Sequence, residues 1–165
     1  MRTRSVVMCF GALAVLGLLT LRVMASDMIV GIWKLNVAKS KYSPGPPPQS
    51  ATVKVEAVDG GIKLVADGAY PQATKAHAEY TAKYDGKDYP TNPLLDGKPN
   101  PAAADMASWK KIDDYTYETT LKLKGKTLGV SRVVISKDGK TLTTTTTGTD
   151  AQGQKINDTA MFEKQ

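Results

Sequence analysis

The sequence predicts an all-β fold, a single antiparallel up-and-down barrel of eight to ten strands, and three observations carry that expectation. From Ile29 onward, short runs rich in Val, Thr, Tyr or Lys each end at a Gly- or Asp-containing turn. Within those runs apolar and polar residues alternate with period two, as they do on a pleated strand with one face inside. Helical periodicity is nearly absent.

The runs follow in order. Val30 to Asn36 is the first, with Trp33 at its centre. Ala51 to Val58 alternates cleanly: Ala51, Val53, Val55 and Ala57 are apolar, while Thr52, Lys54 and Glu56 are polar. Asp59-Gly60-Gly61 then turns the chain into Ile62 to Ala66. Ala73 to Tyr84 puts Ala76, Ala78, Tyr80, Ala82 and Tyr84 on one face and Lys75, His77, Glu79, Thr81 and Lys83 on the other. After Asp85-Gly86 come Lys87 to Pro90 and Met106 to Ile112, and Asp113-Asp114 leads into Tyr115 to Leu123. Lys124-Gly125-Lys126 joins that run to Thr127 to Ser136, and Asp138-Gly139 joins the next, Thr141 to Thr149. Asp150-Ala151-Gln152-Gly153 leads to the last, Gln154 to Glu163. The Thr143 to Thr147 stretch has strand propensity without hydrophobic bias, so either its inward face is polar or it is a weakly buried edge.

Two stretches interrupt the meander. Tyr42 to Ser50 contains Pro44, Pro46, Pro47 and Pro48, which donate no amide hydrogen bond, so a stiff loop is expected there. Pro90 to Ala104 is a second long loop holding Leu94 and Leu95, either a surface insertion covering the barrel end or a functional lid. Barrel closure removes exposed edges and brings the first and last strands side by side.

Residues 1–25 read as a secretory signal. Arg2 and Arg4 form a positive start, Ser5 to Leu21 is almost continuously apolar, and Val23-Met24-Ala25 places cleavage after Ala25. The apolar run is near the shortest that spans a bilayer, so an uncleaved anchor is the competing reading. The expected domain is 26–165, secreted or periplasmic, with no stable membrane anchor after cleavage. Its about 140 residues suffice for one core without staples; Cys9, the one cysteine, leaves with the signal. Of 22 basic residues Arg2, Arg4 and Arg22 leave too, so 19 face 16 acidic ones, a net charge of +3. The remaining lysines are scattered among aspartates, so nucleic acid is not an expected partner.

Gly31-Ile32-Trp33-Lys34-Leu35-Asn36 resembles the G-x-W signature on the first strand of the lipocalin and fatty-acid-binding superfamily. The chain also resembles a group of small secreted bacterial proteins without an assigned activity, through Ala38 to Pro48, Tyr80 to Pro90, Ser136 to Leu142 and Gly148 to Gln154. The first resemblance implies barrel closure by Gly31 and Trp33, with the indole packed against an arginine from a late strand. Arg132, the sole arginine of residues 26–165, is the implied partner. An inward arginine in the fatty-acid-binding branch meets a ligand carboxylate, and Arg132 is a candidate for that role as well.

Candidate chemistry is sparse. His77 is alone and expected on a polar face, no D-x-D-x-D-G or G-x-S-x-G spacing occurs, and Glu79 and Glu118 have only their residue type to recommend them. No catalytic residue, metal or cofactor is therefore expected, and the protein is expected not to be an enzyme. Tyr80, Tyr84, Trp109, Tyr117 and Arg132 are the candidate ligand-binding residues; taken singly, each aromatic reads as plain core ahead of pocket lining. The leading function is non-enzymatic binding or carriage of a small, largely apolar ligand inside the barrel. The alternatives are a filled barrel acting as an envelope interaction module on an unknown partner protein, and an unrecognised enzyme at the barrel mouth.

Overall fold

The computed structural model describes residues 27–71, 74–150 and 152–165. The signal reading of residues 1–25 lies outside the described residues, as does Ala73. One antiparallel sheet, curled into a half-barrel, contains every strand. Its strands are β1 (Gly31–Leu35), β2 (Ser50–Val58), β3 (Gly61–Ala69), β4 (Lys75–Lys83), β5 (Tyr89–Pro90), β6 (Asn92–Leu95), β7 (Lys98–Pro99), β8 (Met106–Lys111), β9 (Thr116–Leu123), β10 (Lys126–Ile135), β11 (Thr141–Thr149) and β12 (Lys155–Lys164). A 3₁₀ turn, Val37–Lys39, follows β1, and there the Asn36 side chain accepts from the Lys39 amide.

The strand order is β5-β8-β9-β10-β11-β12-β1-β2-β3-β4-β6-β7. First and last long strands pair as expected, with Trp33 opposite Lys164 and Leu35 opposite Phe162. The twelve strands exceed the expected eight to ten because the segment read as a structureless loop, Pro90 to Ala104, carries two short ones, β6 and β7. Pro93 and Pro99 are tolerated there because β6 and β7 form the outer margin of the sheet. The Asp96-Gly97 turn between them has φ of 49° and 76°, the left-handed pair of a two-residue type I′ hairpin.

Alternation sets the core. Val55, Ile62, Leu64, Ala82, Trp109, Tyr117, Val133, Ile135 and Leu142 point inward and, with Ile29 and Trp33, form one buried cluster; Phe162 of β12 packs against it. Met28 also packs on this cluster, at the end of the sheet carrying the 59–60, 112–115 and 136–140 turns. β11 is flanked by β10 and β12 over its length and so is no edge. Its inward face is polar instead, and Thr146 Oγ1 lies 2.7 Å from the hydroxyl of buried Ser131.

The seam lies between β4 and β8. At the Met28 end it is stitched: Asp85 bridges Lys110, and the Gly86 amide donates to Trp109 O at 2.9 Å. Toward the other end the 84–105 segment fills the gap, with β5 running along β8 and β6 along β4. The Thr91 amide donates to Asp105 O, and the Thr91 hydroxyl donates to Ala104 O. The proline loop is pinned to β12, where Asp158 accepts from the Ser43 amide and Ser43 O accepts from the Asn157 amide.

Candidate functional site: two chambers inside the curled sheet

Inward side chains on β3 and β4 are small toward the end of the sheet away from Met28. Ala66 faces Ala78 across the β3–β4 ladder, and Ala76 follows on the same face of β4. Small side chains cannot fill the width of the curl, and an outer chamber of about 410 Å³ remains. Leu64, Ala66, Ala76, Ala78, Tyr80 and Leu121 form its inner walls, while Pro93, Leu94, Ala103 and Ala104 of the seam segment cover it. Tyr70, Thr91, Asn100 and His77 add the polar rim. Pro46 of the proline loop, Tyr70, Pro71 and Leu95 flank a further hollow outside that rim.

A smaller inner chamber of about 140 Å³ lies deeper, lined by Ile29, Trp33, Val53, Val55, Leu64, Trp109, Thr119, Val133, Leu142, Thr144 and Phe162. Leu64 lines both chambers, and its ladder partner Tyr80 accepts a 3.1 Å hydrogen bond from Trp109 Nε1. The Leu64, Tyr80 and Trp109 side chains therefore stand between the two spaces. Burial pushes the Tyr80 phenol up to about 12, against the opposing effect of the Trp109 hydrogen bond, so it is a neutral hydroxyl at physiological pH.

The expected binding residues divide. Tyr80 lines the outer chamber and Trp109 the inner one. Tyr117 is fully buried and makes an edge contact with Trp109 at 6.4 Å between ring centres; Tyr84 packs on Tyr117 at 5.4 Å. These two are core residues that extend the aromatic cluster toward the stitched end. Burial, then the Asp27 carboxylate, pushes the Tyr117 phenol up to about 12 and raises that of Tyr84 further. Among the described residues neither hydroxyl makes a well-formed hydrogen bond, although the two phenols stand beside one another and Tyr84 stands near Asp27.

Arg132 departs from both roles expected of it. It is exposed, between the buried neighbours Ser131 and Val133 on β10, so its side chain leaves the sheet on the outer face. Trp33 is fully buried and donates from Nε1 to Ile29 O at 2.7 Å. The cation over its ring is Lys164, with Nζ 5.0 Å from the ring centre. Gly31 makes that approach feasible: its φ is +143°, and a Cβ there would stand 2.6 Å from Lys164 Cε.

His77 bonds through Nδ1 to Asp67 at 2.8 Å, in a row that runs across the outer face from Thr52 to Leu94. Among the described residues no three His, Cys, Asp or Glu side chains are placed to hold a metal ion, and no helix is long and apolar enough to cross a membrane. Leu94 borders the outer chamber from its place opposite His77, whereas Leu95 is exposed. The chamber residues that sequence reasoning missed include Leu64, Ala66, Leu121 and Thr119. The run of inward alanines on β4 was the available signal, since it marks a face too small to fill a barrel. No protein-family model, curated protein or solved structure matches this chain.

Proposed function

We propose that the protein is a non-enzymatic carrier that holds a small, largely apolar ligand inside a lipocalin-like barrel, exported to the periplasm or beyond the cell. The observation that carries this reading is the outer chamber. Its about 410 Å³ falls within the roughly 300–1,000 Å³ of small-molecule sites. Its walls are alkyl and aromatic, it has a polar rim, and it continues past Tyr80 toward a second apolar space. A filled interior, as the interaction-module alternative requires, would leave neither. The 91–104 segment, through Leu94 and Ala104, serves as the cover that retains the ligand. Export rests on the charged start and apolar run of residues 1–25.

The test is titration of residues 26–165 with N-phenylnaphthylamine, an uncharged apolar fluorophore whose emission rises in dry surroundings. One molecule is expected to bind per chain with micromolar affinity. Ala78→Phe, which projects a ring into the chamber, is expected to weaken binding by at least about tenfold with an unchanged circular dichroism spectrum. No emission change with the folded parent chain would sink the carrier reading.

A further inference from the structure

We infer that the ligand is uncharged and carries one hydrogen-bond-accepting oxygen, as an apolar alcohol or ketone does, and that this oxygen sits beside Trp109 at the junction of the two chambers. The inference rests on the carrier reading and specifies what is carried.

No lysine or arginine lines either chamber among the described residues, and Arg132 stands on the outer face. The one basic side chain at the rim, His77, is already engaged by the Asp67 carboxylate. A carboxylate entering this space would lose its hydration and meet no cation. Burying an ion without a partner is strongly unfavourable, and so is burying an ammonium here, because no carboxylate lines the chambers either.

Two neutral hydroxyls that face the interior flank one indole. Tyr80 Oη accepts from Trp109 Nε1, which leaves its own proton to donate, and its ionisation is pushed up to about 12 by burial. Thr119 lies directly across the β8–β9 ladder from Trp109 and lines the inner chamber. It is 7 % exposed, and its Oγ1 has no hydrogen-bond partner among the described residues. A buried hydroxyl left unpaired costs stability unless something satisfies it, and a ligand oxygen placed between the chambers does so. Two hydroxyl donors and no ion match an alcohol or carbonyl oxygen on an otherwise apolar body.

The experiment is displacement of bound N-phenylnaphthylamine from the parent chain by decanol, decanoate and decyltrimethylammonium, which share one tail and differ in charge. Decanol is expected to bind at least about tenfold more tightly than either ion. Decanoate or the ammonium binding as tightly as decanol overturns the inference while leaving the carrier reading standing; failure of the fluorophore itself to bind removes both. Tyr80→Phe is expected to weaken decanol by about three- to tenfold more than it weakens the fluorophore, which has no oxygen. Unchanged decanol affinity in that variant overturns the role of the Tyr80 hydroxyl.

Discussion

Trp33 shows how one side chain can be both fully buried and fully satisfied. Its indole lines the inner chamber, its one polar atom donates to Ile29 O, and Lys164 lies over its face where Gly31 leaves room. Burying an indole of this size contributes several kcal/mol, whereas an exposed cation over the ring adds only about 0.5–1 kcal/mol. Trp33→Ala is therefore expected to cost about 3–5 kcal/mol in urea unfolding. Arg132→Ala, on the outer face, is expected to change stability by less than about 0.5 kcal/mol. Equal losses for the two variants would restore the Trp33–Arg132 pairing that the sequence resemblance implied. The direction of Arg132 was hard to read because β10 offers no clean alternation: Val130, Val133 and Val134 are apolar on both faces, and the buried Ser131 satisfies its hydroxyl on Thr146. A register shift between Thr127 and Gly129 further blurs the parity.

Among the elements, the β6–β7 hairpin is the piece whose stability is most local. It is tied to the sheet through the β4 ladder and through Asp96, whose amide donates to Lys75 O and whose carboxylate accepts from the Lys75 amide at 2.7 Å. No heavy atom approaches within 4 Å of a Cβ placed on Gly97, so a substitution there acts through its φ of +76° alone. Gly97→Val forces a β-branched residue into the left-handed region at about 1–2 kcal/mol. The expected result is faster amide exchange at Leu94 and Leu95 with little change at β9 and β10. Uniform loss of protection across the sheet would mean that the hairpin is part of the global folding unit. β2 and β4 were legible because each alternates on one solvated face, and the paired termini followed from closure. β6 and β7 were not legible because Pro93 and Pro99 argue against strands, and only their marginal position in the sheet makes them permissible. The chambers were half legible: the inward alanines announce missing volume, but which aromatic borders that volume depends on packing between distant strands.

For the whole molecule, the curled sheet gathers phenols into its interior, and that arrangement sets a limit at high pH. Tyr84, Tyr117, Trp109 and Tyr80 form one contiguous file from the stitched end to the outer chamber. Tyr80 and Tyr117 ionise at about 12 in the folded chain against 10.0 when free, chiefly because burial disfavours the phenolate. The Lys111 ammonium is also raised, first by its 2.6 Å bond to Asp27. For groups whose folded pKa is raised, the unfolded chain releases protons first as pH climbs. Their contribution is therefore complete below about 10 and disappears as pH rises through about 12. Urea midpoints are expected to stay level to about pH 9.5 and then fall steeply. Tyr117→Phe separates the phenol from the rest: among the described residues its Oη makes no well-formed hydrogen bond, so at neutral pH its removal is expected to change stability by no more than about 1 kcal/mol in either direction. In the alkaline range the same variant should lose stability more gradually than the parent, because one buried proton no longer has to leave. Identical slopes for the two chains would mean that the Tyr117 phenol is not the buried acid that this packing makes it.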